Sequence, residues 1–218
     1  MRILRFLILA LLVSTKISAI ELPRNISTGD LIFIDLDCGE FCQAVTDVTQ
    51  MQFGRGPKLN HMGMFLVSGA KQVFVYEALP QVGVVKTSYV DLVKRLQSQS
   101  RRRVSDRMVI GRIKPAFKSA FIRAAGYISA EVGKPYNPTF SYHSKGFYCS
   151  QLIQKVVTQG AQGIEIFSWR PMFFGKNGSP ARKIWENYFQ KIGSKVPDGE
   201  LGVSPLGMYL DGKGRVFD

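Results

Sequence analysis

The sequence predicts an α+β fold, an antiparallel sheet packed against helices. Three observations carry this. Strand-type runs cluster early in the chain and are joined by turns of hairpin length. Helical periodicity dominates the later part. Strands and helices also come in mixed order, which suits α+β.

The chain begins with Arg2 and Arg5, then an apolar run from Phe6 to Val13, then small residues ending at Ala19. The run is too short to span a bilayer and suits a signal peptide, residues 1–19, that directs export to the periplasm or outside. No lipobox-type cysteine follows it. Residues 20–218 are enough for a single domain with a sizeable core.

Gly29-Asp30 reads as a turn, with Asp30 bonding its own backbone, and it feeds a short strand, Leu31-Ile32-Phe33-Ile34. Residues 40–51 read as a helix with Phe41, Val45, Val48 and Met51 on one side. A glycine-rich loop at 53–57 leads to a strand over His61-Met62-Gly63-Met64-Phe65-Leu66-Val67. Gly69-Ala70-Lys71 turns it back into Gln72 to Ala78, an antiparallel neighbour by its short connection. Val82 to Lys86 is a third strand candidate, and Ser88 caps a helix over 89–97. Met108 to Arg112 reads as a strand. Phe117 to Glu131 reads as a helix with Phe121, Ala124, Ala125 and Ile128 facing in, stopped at Gly133-Lys134-Pro135-Tyr136. Further helices follow at 149–159 and from Ser179-Pro180 to about Gln190. The tail from Gly193 is rich in Gly and Pro and is expected to wrap the surface.

Twenty-nine Lys and Arg against 16 Asp and Glu give a net charge of +13. The signal carries three of the positive charges (Arg2, Arg5 and Lys16) and no acid, which leaves +10. Such a balance favours peripheral contact with an anionic surface, lipid headgroups or cell-wall polymers. The densest basic piece is Arg101-Arg102-Arg103, with Lys94, Arg95 and Arg107 nearby. It has no interleaved aromatics, so nucleic acid is not an expected partner and a solvated loop is.

Three cysteines divide unevenly. Cys38 and Cys42 lie four apart. In an oxidising compartment they are a disulfide candidate that leaves Cys149 free. Four-apart positions on a helix are near the edge of bridgeable geometry, so two free thiols stand as the alternative. Two histidines in the whole chain leave little for a metal, and no metal or cofactor is expected.

In Gly146-Phe147-Tyr148-Cys149-Ser150-Gln151-Leu152-Ile153 the lone cysteine stands at the start of a helical pattern. A helix N-terminus favours an anion, and a thiolate there is a nucleophile near neutral pH. A small buried cysteine is the plainer reading. A thiol nucleophile needs a base, and the base needs an orienting group. His61 begins a strand. Glu77 sits in a nearly apolar run on the returning strand, where a carboxylate needs a partner. A turn near 69–70 brings position 61 opposite roughly 78, so Glu77 lies close to His61. Glu77 paired with a surface cation is the alternative. His143, six residues before Cys149 in a polar loop, is the alternative base.

These segments, taken in order with Gly29 to Phe33, Asn60 to Met64, Tyr76 to Ala78, Gly133 to Tyr136 and Tyr148 to Ile153, resemble the YiiX-like branch of the NlpC-type superfamily. That resemblance covers about residues 27–190. It implies a circularly permuted papain-like fold and a cysteine peptidase or amidase. It maps the nucleophile onto Cys149, the base onto His61 and the third polar residue onto Glu77. It also marks Tyr148, Tyr136 and Ser150 at the substrate side, without saying which tyrosine faces the site. The implied chemistry is attack of the thiolate on an amide carbonyl. The resemblance does not define the substrate: export and the basic surface suit a cell-wall peptide or isopeptide bond, and the permuted acyltransferase cousins suit a lipid or N-acyl amide. The expected partner is a peptide, lipid or small molecule of the cell envelope that bears an amide or acyl group. Phe53, Met62, Met64, Phe140, Phe147, Trp169, Met172, Phe173 and Phe174 are candidates for an apolar groove, with core packing the alternative. A lipid acyltransferase or thioesterase, and a non-catalytic module that binds anionic polymers, are the rival readings.

Overall fold

Residues 22–54, 56–69 and 72–218 are described by a computed structural model; the expected signal peptide lies outside them, as do Ala70 and Lys71 of the expected first hairpin turn. Five strands form one sheet: β1 (Leu31–Ile34), β2 (His61–Ser68), β3 (Gln72–Leu79), β4 (Gly83–Ser88) and β5 (Met108–Gly111). Their order is β4-β3-β2-β1-β5, and every pairing is antiparallel. The helices are α1 (Glu40–Phe53), α2 (Tyr89–Gln99), α3 (Pro115–Ser129), α4 (Cys149–Gly160), α5 (Pro180–Lys191) and α6 (Pro205–Gly212). A two-stranded ribbon joins β6 (Arg170–Pro171) to β7 (Leu201–Gly202).

Side-chain alternation divides the sheet into two faces. Ile32, Ile34, Phe65 and Val75 pack against Tyr89, Leu92 and Leu96 of α2. Leu31, Phe33, Met62, Met64 and Tyr76 pack against Phe121 and Ile128 of α3 and Leu152, Ile153 and Val156 of α4. With both faces covered, β1 is buried throughout, which is why its run shows no alternation. A third cluster, Ala44, Val48, Phe174, Trp185 and Phe189, joins α1 to α5.

Several expectations on the elements hold. Ser88 caps α2, its hydroxyl accepting from Asp91 N at 3.1 Å. Asp30 is structural: its carboxylate accepts from Ser27 N at 2.8 Å and Ile113 N at 3.0 Å. Others need correction. Met51 is 52% exposed rather than inward. The packing of α1 against α5 takes in Phe41, Ala44, Val45 and Val48 and does not extend to Met51 in the last turn, while on another side of the helix Asn60 donates to Cys42 O and Thr46 Oγ1. Val82 lies in a turn, and β4 begins at Gly83.

Arg107 does not belong to a solvated loop. It is 1% exposed and donates to Asp35 O at 2.9 Å and Leu96 O at 2.6 Å, tying α2 to the end of β1. Arg101, Arg102 and Arg103 are all exposed, as expected of a solvated loop, with Arg102 paired to Asp35 at 2.7 Å and Arg103 to Asp106 at 3.1 Å.

The tail does not simply wrap the surface. Ser204 caps α6 by accepting from Gly207 N at 3.1 Å, and Pro205 takes the first turn. Leu206, Met208, Val216 and Phe217 are buried in the main core. The Phe217 ring lies so close to Gly212 that an added Cβ would meet it at 2.1 Å.

Candidate active site

His61 opens β2, and Glu77 lies near the end of β3. The register pairs Met64 with Tyr76. One step further places Gly63 across from Glu77, so His61 and Glu77 lie on the same face as diagonal neighbours. The expected pairing of 61 with 78 would have put them on opposite faces; the real register differs by one residue. A Cβ at Gly63 would meet Val75 Cγ1 at 2.5 Å and Tyr76 O at 2.7 Å, so only glycine lets the two strands approach here.

The Glu77 carboxylate is fully buried and heavily bonded. Its Oε2 meets His61 Nε2 at 2.7 Å, and Thr87 Oγ1 donates to its Oε1 at 2.6 Å. Arg95 Nη2 donates to Oε1 at 2.8 Å and to Oε2 at 2.6 Å. Burial alone would raise the carboxyl; the bond to His61 and the charges of His61 and Arg95 overcome it and hold it at about 2. Burial alone would likewise lower His61. Hydrogen bonds to Cys149 and Glu77, and their charges, lift it instead to about 9. Nε2 is taken by Glu77, which leaves Nδ1 for the Cys149 sulfur.

Cys149 is the first residue of α4, is buried, and is a free thiol. Its helix start is held from behind. Gln151 Oε1 accepts from Tyr148 N at 3.4 Å and from Asn137 Nδ2 at 2.9 Å, and Asn137 Nδ2 also donates to Ser141 O at 2.8 Å. This network fixes the 137–148 segment against the start of α4 and Cys149.

The two tyrosines differ. Tyr148 accepts from Val203 N at 3.2 Å and is buried. The Tyr136 hydroxyl has no hydrogen-bond partner among the described residues, and it borders the same cavity as Cys149. Burial first, then the nearby Cys149, push its phenol well up, so it stays protonated and able to donate. Ser150 also borders the cavity, but its hydroxyl is engaged, donating to Val203 O at 2.9 Å. His143 is exposed, edge-on to Tyr142, and does not border the cavity.

Cys149 and His61 open into a cavity of about 330 Å³ that runs between α1, α5 and α6. Its walls are mostly apolar. Phe53, Phe140, Met172, Phe173 and Phe174 border it, whereas Met62, Met64 and Phe147 are core and Trp169 packs against that core. Cys38 and Cys42 border it too, joined as a disulfide with their Cα atoms 5.4 Å apart. Among the described residues no three His, Cys, Asp or Glu side chains are grouped to hold a metal.

Sequence reasoning missed Arg95, Thr87, Asn60 and the Asn137–Gln151 pair. An arginine beside the apolar stripe Tyr89, Leu92, Val93 and Leu96 was the one available signal for Arg95.

Residues 25–198 match the model of a family described as permuted papain-like amidase enzyme, YaeF/YiiX, C92 family. Over 205 residues the chain is 27% identical to the uncharacterized protein YiiX of Escherichia coli (strain K12), covering 94% of this chain and 90% of that one. It is similar in fold to the crystal structure of the metalloprotein yiiX, DUF1105, from Escherichia coli O157:H7. The TM-score is 0.63 at 22% identity, over 84% of this chain and 91% of that one.

Proposed function

The chain belongs to the permuted papain-like amidase family of the YaeF/YiiX type, an amidase or peptidase type of hydrolase, and from that premise we propose an exported amidase that removes an acyl group from an N-acyl amide. Cys149 is the nucleophile, His61 its base and Glu77 the group that orients the base. The observation that carries the substrate class is the mostly apolar cavity adjoining Cys149. A cell-wall peptide stem is polar and charged, and would leave these aromatic walls idle.

His61 takes the thiol proton through Nδ1. The thiolate attacks the amide carbonyl carbon, and the carbonyl π pair moves to oxygen. The Cys149 N–H at the start of α4 and the Tyr136 hydroxyl are the donors toward that oxyanion. As the C–N bond breaks, the imidazolium protonates the leaving amine. Water, deprotonated by His61, then hydrolyses the thioester. Glu77, held by Thr87 and Arg95, keeps the ring in its tautomer throughout. His61 and Glu77 are bound to each other, and the donor set of the site does not fit a metal, so no step is assigned to one. The disulfide and the N-terminal segment 1–19 support export. The positive charge supports contact with an anionic envelope surface.

The test is hydrolysis of a series of N-acyl amides of rising chain length beside a peptidoglycan stem peptide. Turnover is expected to rise with acyl length until the cavity is filled, and Tyr136→Phe is expected to lower kcat by about 10-fold to 10²-fold with little change in KM. Cleavage confined to the stem peptide would overturn the acyl reading.

Phe140 supplies a sharper expectation. It has a left-handed backbone (φ 56°) that a bulky residue rarely adopts. Its ring stands 5.1 Å from Tyr148 and 5.5 Å from Trp185, bridging the main core and the α1–α5 cluster. Phe140→Ala is expected to shift the optimum toward longer or bulkier acyl groups, read as a change in relative kcat/KM across the series. An unchanged optimum would mean the acyl chain does not reach this ring.

A further inference from the structure

A cation from α2, on the face of the sheet that this helix covers, reaches the carboxylate that orients the base. Arg95 Nη2 lies 2.6 Å from Glu77 Oε2, the same oxygen that meets His61 Nε2 at 2.7 Å. Two basic groups therefore share one oxygen and sit within two hydrogen-bond lengths of each other. Arg95 also borders the cavity, and its side chain is 27% exposed.

We infer that Arg95 is a positioning residue of this site, holding Glu77 against His61 while drawing off part of its charge, and so limiting how tightly His61 keeps the proton it must return. The inference rests on the catalytic reading above. A lone buried carboxylate would favour imidazolium strongly. A base that holds its proton too firmly is a poor acid toward a leaving amine. The permanent charge of Arg95, this close to the ring, opposes protonation. Thr87 contributes the neutral share, fixing Oε1 without adding charge.

The other charged or titratable groups around the pair are few. Cys149 on α4 faces His61, with Tyr136 and Tyr148 beside it. On β4, Lys86 is turned over the Phe74 ring at 4.0 Å. Asp35, beyond β1, is held by Arg102. None of them duplicates the contact that Arg95 makes.

The experiment is an NMR titration of the His61 ring in the whole protein, with the pH dependence of iodoacetamide labelling at Cys149 followed in parallel. Only two histidines are present, so His143→Gln leaves a single signal. Arg95→Met is expected to move the His61 midpoint up by about one pH unit or more. It is expected to lower kcat far more than KM and to shift the alkaline limb of the rate profile the same way. Arg95→Lys, which keeps the charge, is expected to return the midpoint close to the parent value, and it also serves if Arg95→Met does not fold. An unmoved or lowered midpoint in Arg95→Met, or one in Arg95→Lys as high as expected for the uncharged variant, overturns the inference. An ordinary thiol labelling profile in the parent protein, with a His61 midpoint near 6.5, overturns the catalytic reading itself and is a distinct result.

Discussion

Cys149→Ala is expected to remove amide turnover, with kcat/KM falling by at least about 10⁴-fold. No other free thiol stands in the described residues to take its place. The substitution deletes one sulfur from a helix start held by Gln151, Asn137 and Ser141, so stability is expected to change by no more than about 1 kcal/mol. Thermal melting and acyl release, measured on the same preparation, check both halves. A fully active Cys149→Ala protein would end the reading of this site as a cysteine hydrolase.

Glu77→Gln has the second largest expected effect. The amide keeps the shape but offers an N–H₂ where Glu77 accepts from His61, Thr87 and Arg95. His61 loses its orienting charge, and Arg95 loses its partner. A fall in kcat of about 10²-fold to 10⁴-fold is expected, with the protein folded at neutral pH but melting lower.

The melting deficit should depend on pH in a defined way. Glu77 is held at about 2 against an ordinary 4.5, so its contribution is full above pH 4.5 and drains away as the pH falls toward 2. His61 is lifted from 6.5 to about 9, so its contribution is full below pH 6.5 and is lost as the pH rises through 9. Parent and variant should therefore differ most between pH 4.5 and 6.5, converge as the pH falls toward 2, and keep only the part of the difference that Arg95 supplies as the pH rises through 9. A deficit that is flat with pH would mean the pair contributes shape rather than charge.

The sheet was legible because its strands are short, apolar and joined by short turns. The place of Cys149 at a helix start was legible because a glycine and two aromatics lead directly into a helical period. The bond between His61 and Glu77 was expected from a buried acid beside a strand-borne histidine, although by a register one residue out. A turn read only approximately cannot settle parity, and parity decides the face. Arg95 and Arg107 were read as part of one solvated basic cluster for another reason. A basic cluster looks the same in sequence whether its members meet water or a buried carbonyl, and only tertiary contact distinguishes them. The tail was a missed signal rather than an absent one. Ser204-Pro205 carries the same cap and first-turn pattern as Ser179-Pro180, but Gly and Pro around it masked the helix.

The Cys38–Cys42 bridge sets a conflict in handling this protein. It forms part of the cavity wall, and Cys38 lies at the surface within reach of small thiols. The free thiol of Cys149 borders the same cavity, and as the proposed nucleophile it has to stay reduced. Dithiothreitol or glutathione, added to protect Cys149, also acts on the bridge, whereas air or peroxide spares the bridge and oxidises the Cys149 sulfur. Assays at different redox poise therefore sample different walls around one cysteine, and activities compare only when the poise is fixed.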